Sequence, residues 1–410
     1  MKLAGQNRGA APRLATLVAA GAVGPLAMNI FLPSLPNMAR YFEADYSVIQ
    51  LLVSLYLVST ALIQLVIGPL SDRFGRRPIL LGALAIFAAS TLAAVYAPTV
   101  EALLACRLLQ STAAAGMVLS RAVIRDTVDS LEEAASSIGY VTMAVSVMPM
   151  IGPIAGGYLD ELYGWKSTFL LTFAFGVVAL LFVLFDLAET HHNRTSSMLA
   201  QARAYPELFR SREFWGYALT AGFASGAFFG FLGGGPFVAT EQLHMQPSRY
   251  GLYFAFVSLG YLIGNFLTGR YSRRVGINRM MLAGNIVGMV GALLPLLMFA
   301  GGIFTPMSLF VPVGLIGVGN GMALPNANAG MLSVRPHLAG SAAGLGGTLL
   351  VGCGALAAFV AGALLTLESG PMPLLLVMLT SAVLGVLSSW YVIRVARSGT
   401  GSDPLPGAKP

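Results

Sequence analysis

The feature that most constrains this chain is a series of twelve long apolar runs, each near the length of a membrane-crossing helix. They fall at 14–35, 48–69, 78–96, 101–120, 135–158, 165–187, 214–236, 248–268, 279–298, 303–325, 339–363 and 371–393. A helix that crosses the hydrocarbon core needs about 20 such residues. Only 10% of the side chains are charged and 56% are hydrophobic, whereas a water-soluble domain carries roughly 25% charged residues. Such a chain cannot cover itself for water. In a bilayer, lipid-facing side chains stay apolar while each helix satisfies its own backbone hydrogen bonds. The first run follows Lys2, Arg8 and Arg13 and ends in Leu32-Pro-Ser-Leu-Pro36. It exceeds the roughly 7–15 residues of a secretory core and lacks a small-residue cleavage site, so it reads as the first span.

Twelve spans can be tested against charge, because alternate loops face opposite sides of the membrane. Of the 24 Lys and Arg residues, 20 fall at the termini and in one alternate set of loops, including Arg73, Arg76, Arg77, Arg121, Arg125, Arg270, Arg273, Arg274 and Arg335. The other set holds only Arg40, Lys166 and Arg249, and Arg107 lies inside a run. Basic loops stay on the cytoplasmic side, so both termini are expected there. The formal charge of +7 is spread over these loops and not gathered into a nucleic-acid groove. Cys106 and Cys353 both lie in apolar runs, which supports neither a disulfide framework nor a zinc site. No metal site is expected.

The expected architecture is an all-α integral membrane protein of two pseudo-symmetric six-helix bundles. The divisions are a cytoplasmic N-terminus (1–13), a first bundle (14–187), a central cytoplasmic loop (188–213), a second bundle (214–393) and a Gly/Pro/Ser-rich tail (394–410) without apolar period. The halves echo each other. Gly68-Pro-Leu-Ser-Asp-Arg-Phe-Gly75 follows the second run and Gly269-Arg-Tyr-Ser-Arg-Arg-Val-Gly276 follows the eighth, at an offset of 201 residues. Repeated halves of this kind build transporters, with the substrate site at mid-depth between them.

The loop Gly68 to Pro78 resembles the signature between helices two and three of the major facilitator superfamily. Leu32-Pro-Ser-Leu-Pro36, Arg121-Ala-Val-Ile-Arg-Asp126, Gly152-Pro-Ile-Ala-Gly-Gly157 and Pro325-Asn-Ala327 narrow the likeness to its bicyclomycin and chloramphenicol resistance branch. The resemblance implies proton-coupled export of small drugs across a bacterial inner membrane. It also implies a cytoplasmic latch between the halves made of Gly68, Asp72, Arg73, Gly75, Arg76 and Arg77, with Asp126 as the partner of Arg76. Asp72 is expected at a neighbouring helix N-terminus, where negative charge is favoured. Gly152, Pro153, Gly156 and Gly157 are similar to the antiporter motif. Proline removes a backbone donor and glycine permits close approach, so a bend and a tight seam are expected there; ordinary helix packing would use the same residues.

Arg107 is the one basic residue in mid-run, with Gln110 and Ser111 on the same helical face. It should face the interior, either in proton coupling, as the resemblance implies, or in bonding loose carbonyls of the first helix. Tyr56, Thr60 and Gln64 form a polar stripe at spacing four that lines a cavity or joins helices. Asn29 stands where the resembled branch commonly has an aspartate. An amide cannot titrate, and outside Asp186 and Glu368 near run ends every other Asp and Glu falls in a loop or tail. Asp72, Asp126 or Asp186 could substitute, or coupling could be absent.

The expected partners are a small, partly apolar organic substrate, protons and the lipid bilayer, with no nucleic acid, no cofactor beyond a proton gradient, and a monomeric chain. A uniporter or a dedicated metabolite exporter is the alternative. An enzyme is not expected: His191, His192, His244 and His337 lie in loops without a Cys partner, and no phosphate-binding Gly-rich loop with Lys and Ser/Thr is present.

Overall fold

The computed structural model describes residues 12–128, 130–190, 206–335 and 338–399. The expected terminal segments and central loop lie partly outside these residues, as do His191, His192 and His337. Among the described residues all regular structure is helical, and twelve helices are long and apolar enough to cross a membrane. They are α1 (Leu14–Tyr41), α2 (Tyr46–Phe74), α3 (Arg76–Val95), α4 (Val100–Thr127), α5 (Ser136–Tyr163), α6 (Lys166–Asp186), α7 (Arg212–Gln242), α8 (Pro247–Val275), α9 (Ile277–Ala300), α10 (Pro306–Ser333), α11 (Ser341–Leu364) and α12 (Met372–Ala396).

Helices outlast the apolar runs at several ends, because a polar turn beyond the lipid does not stop a helix. Thus α4 continues seven residues past its run, α5 continues to Tyr163, and the helix holding α12 reaches Gly399. The tail expected from 394 is therefore still helical in its first residues. Prolines place the interruptions. In α1 the regular helix stops at Asn29, a tight turn covers Leu32–Ser34, and helix resumes over Leu35–Tyr41, since Pro33 and Pro36 carry no N–H to donate.

Each half packs within itself, α1 against α4, α5 and α6, and α7 against α10, α11 and α12. The halves meet mainly along two antiparallel pairs, α5 with α8 and α2 with α11. These two seams correspond under the six-helix repeat. The repeat is visible locally as well: Gly75 ends α2 at φ 102° and Gly276 ends α8 at φ 88°, a left-handed geometry that suits glycine.

The seams are closed at one end only. At the sparsely charged end, here called the outer end, one apolar cluster runs through both halves and includes Phe31, Tyr46, Phe231, Phe237, Tyr250 and Phe310. Tyr46 donates its hydroxyl to the Gly233 carbonyl at 2.9 Å and its ring lies 4.8 Å from that of Phe237. At the basic end the apolar core divides into one cluster per half. Built Cβ atoms on Gly68 of α2 and Gly344 of α11 meet nothing within 4 Å. The cleft between the halves therefore opens at the basic end.

Candidate functional site

Arg107 is buried at 1% exposure in the middle of the first half. Its Nε donates to the Leu52 carbonyl of α2 at 2.9 Å, its Nη2 to the Ala27 carbonyl of α1 at 3.0 Å, and its Nη1 to Gln110 Oε1 at 2.7 Å. The guanidinium lies between two rings, 4.2 Å from the centre of Phe31 and 4.0 Å from that of Tyr56. No carboxylate is among its partners. Three charge-assisted hydrogen bonds and two cation–π faces replace the water a cation loses on burial. The bonding of a carbonyl in the first helix is thus present, at Ala27, two residues from Asn29.

Asn29 itself donates Nδ2 to the Pro25 carbonyl at 2.8 Å, and its buried Oδ1 has no protein partner. The stripe on α2 divides. Tyr56 is buried and donates to the Gly24 carbonyl at 3.3 Å, Thr60 is half-buried, and Gln64 reaches the seam, 3.4 Å from a Cβ built on Gly347. The crevice beside Arg107, lined by Phe31, Gln110, Thr168 and Phe169 among others, is too tight to hold a water molecule. Drug-sized ligands occupy about 300–1,000 Å³. A substrate of that size does not fit this crevice.

At the basic end, Arg76 is the hub of an ionic cluster. It pairs with Asp72 one turn back, with Asp126 of α4 at 3.0 Å, and with the Ser71 hydroxyl at 2.5 Å. The expected Arg76–Asp126 pair is present. Asp72, however, does not cap a helix: that place at the start of α3 belongs to Glu189, whose carboxylate accepts the backbone N–H groups of Arg76 at 2.9 Å and Arg77 at 3.3 Å. Arg77 also donates to the Leu184 carbonyl at 2.9 Å, while Arg73 is exposed over the Phe74 ring. In this conformation these bonds fasten α2, α3, α4 and the segment after α6 inside the first half. Glu189 had no motif to reveal it; the favourable place for a negative group at the N-terminus of α3 does not say which residue fills it.

The motif on α5 lies between both halves. Gly152 and Gly156 face α1, so close that a Cβ on Gly156 would overlap the Ile30 carbonyl oxygen. Pro153 and Gly157 face α8, where Gly157 abuts Pro247 and Gly251 abuts Pro153. The tight seam is present, and the helix Met148–Tyr163 runs on through Pro153. The helix breaks at Ser146–Val147, before Met148–Tyr163, because Pro149 cannot donate to the Val145 carbonyl.

Two further carboxylates are placed by the structure. Asp186 is engaged at the head of α1, accepting the Arg13 N–H at 2.8 Å and the Thr16 hydroxyl at 2.5 Å. Asp160, placed in a loop by the apolar run, lies inside α5 and is buried. The spacing Gly152, Gly156, Asp160, one turn apart on the face toward α1, is the signal that could have found it.

The Major Facilitator Superfamily profile matches residues 17–358. The chain belongs to the major facilitator superfamily. This transporter is similar to an uncharacterised MFS-type transporter, YdgK, of Bacillus subtilis, at 30% identity over 89% of this chain and 91% of the relative. It is 27% identical to a bicyclomycin resistance protein homolog of Haemophilus influenzae, over 90% of this chain and 92% of that one. Among solved structures, a bacterial homolog of the human lysosomal transporter Spinster, in an inward-facing and unoccupied conformation, superposes with a TM-score of 0.72 at 16% identity. That alignment covers 96% of this chain and 98% of the other. The relatives are facilitator-superfamily transporters and not enzymes.

Proposed function

We propose that this facilitator-superfamily transporter exports small, partly apolar organic compounds, antibiotics among them, from a bacterial cytoplasm in exchange for protons, by alternating access between its halves. The observation that carries the reading is the asymmetry of the seams, closed through one apolar cluster at the outer end and parted at the basic end. With the basic end in the cytoplasm, as the distribution of Lys and Arg favours, this is the state that collects substrate from inside an inner membrane. The drug-resistance name of one relative supports the substrate class. A dedicated metabolite exporter without proton coupling is the second reading, favoured by one observation: Asn29 offers an amide where coupling calls for a titrating group.

The test is accumulation of chloramphenicol, bicyclomycin and cationic dyes in an efflux-deficient bacterial strain expressing the protein, with and without a protonophore. Lowered accumulation that the protonophore restores is the expected result. Unchanged accumulation despite confirmed membrane expression would reject drug export, and lowering that ignores the protonophore would reject coupling.

A further inference from the structure

Among the described residues, Asp160 is the one buried carboxylate, at 4% exposure. It stands one turn beyond Gly156 on the face of α5 that packs against α1, and one turn from Gly157 at the seam with α8. Its Oδ2 accepts from Asn37 Nδ2, and Asn37 Oδ1 accepts from Arg40 Nη2 at 2.9 Å. The buried Ser34 hydroxyl lies beside this carboxylate as its other polar neighbour on α1. The charged groups around it are Arg40 on α1 and Glu161 on α5 itself. Lys166 at the head of α6 lies over the Tyr41 and Trp165 rings, and Arg249 on α8 is exposed; neither makes an ion pair with it.

A carboxylate that reaches a cation only through an amide is costly to hold charged away from water, and a proton removes that cost. Asp160 lies one turn from Gly157, which closes the outer end of the α5–α8 seam against Pro247 and Ser248, so parting that seam opens the nearest route for water to it. We propose that Asp160 is the proton-binding site of the transport cycle. It takes one proton from the outer aqueous phase as the outer end closes, gives it up to the cytoplasmic cleft as substrate enters, and is ionised when the outer end opens again. No bond other than the carboxyl O–H forms or breaks. The buried polar side chains of Ser34 and Asn29 continue a polar line down α1 from Asp160 toward Arg107. The chain thus carries a titrating group on α5 although its helix-one position is an amide.

This inference rests on the proton-coupled reading above, which falls independently if the protonophore leaves accumulation unchanged. Its own test needs no substrate. Infrared difference spectra of the full-length protein in liposomes, taken between acid and alkaline pH, should show a buried protonated-carboxyl band that is absent in Asp160→Asn and returns, shifted, in Asp160→Glu. Spin labels at Glu43→Cys and Leu367→Cys, in the outer loops of the two halves of a Cys106→Ser, Cys353→Ala chain, report the opening. Their separation should widen with rising pH in the otherwise unchanged protein, and stay short at every pH in Asp160→Asn. A pH response that survives in Asp160→Asn, or a carboxyl band common to both proteins, overturns the assignment.

Discussion

Gly157 of α5 lies against the Pro247 carbonyl of α8 with no space for a side chain, and one turn away Gly251 lies in the same way against Pro153. The contact joins the two halves, so it exists only while the outer end is closed. A larger residue at Gly157 therefore acts on one state of the transporter and not on the fold of either half. Overpacking costs about 1–3 kcal/mol, enough to shift a balanced equilibrium by roughly 5- to 150-fold. Gly157→Val should leave membrane insertion intact, raise the outer accessibility of a reporter cysteine, and depress efflux. Normal efflux from this variant at normal expression would show that the seam tolerates widening.

The ionic cluster at the basic end gives a stability prediction. Arg76 is buried with Asp72, Asp126 and Ser71 around it, while Arg73, three residues earlier, is exposed. Removing the buried member leaves two carboxylates without their common cation. Arg76→Ala should lower the stability of the solubilised protein by about 2–3 kcal/mol, the scale of a lost hydrogen-bonded charge, whereas Arg73→Ala should stay within about 0.5 kcal/mol. Thermal melts of both variants in detergent decide it; equal shifts would remove Arg76 from its central position.

Arg107 can be separated from a generic positive charge. Its planar fork meets two carbonyls on different helices and Gln110 together, a geometry that a single ammonium point cannot reproduce. Arg107→Lys should keep the fold and the charge yet lose efflux, with a stability loss of about 1–2 kcal/mol for the hydrogen bonds not remade. Efflux assayed beside a thermal melt gives both numbers. Full efflux in the lysine variant would mean that charge alone suffices.

The parts of this molecule that were legible in the sequence are those governed by composition and period. Span number followed from apolar length, and the repeat from Gly75 and Gly276, two glycines required by the same turn. The Arg76–Asp126 pair came from a family motif and the structure holds it at 3.0 Å. What was not legible depends on how helices abut. Asp160 follows Tyr158 and Leu159 and precedes Glu161, so its local sequence reads as a loop; only the packing of α5 on α1 makes it interior. Glu189 is equally silent, because its partners are backbone N–H groups of a helix more than a hundred residues earlier. The interruption of α5 at Ser146–Val147 was not legible either, since a motif drew attention to Pro153 while the hydrogen-bond ladder fails before Pro149.

The α2–α11 seam predicts how the basic end closes. Gln50 packs on Gly362 and Gln64 lies against Gly347, so the two antiparallel helices keep one register from the outer end inward. One turn further, Gly68 on α2 comes level with Gly344 on α11, and both stand open in this conformation. If the halves rock as rigid bodies, that pair is the next to meet. Cysteines at the two positions, in a chain with Cys106 and Cys353 replaced, should crosslink only when the basic end closes and the Cα atoms come within about 7 Å. Efflux should stop on oxidation and return on reduction. A pair that never crosslinks in cells while efflux proceeds would mean that the basic end closes in another register.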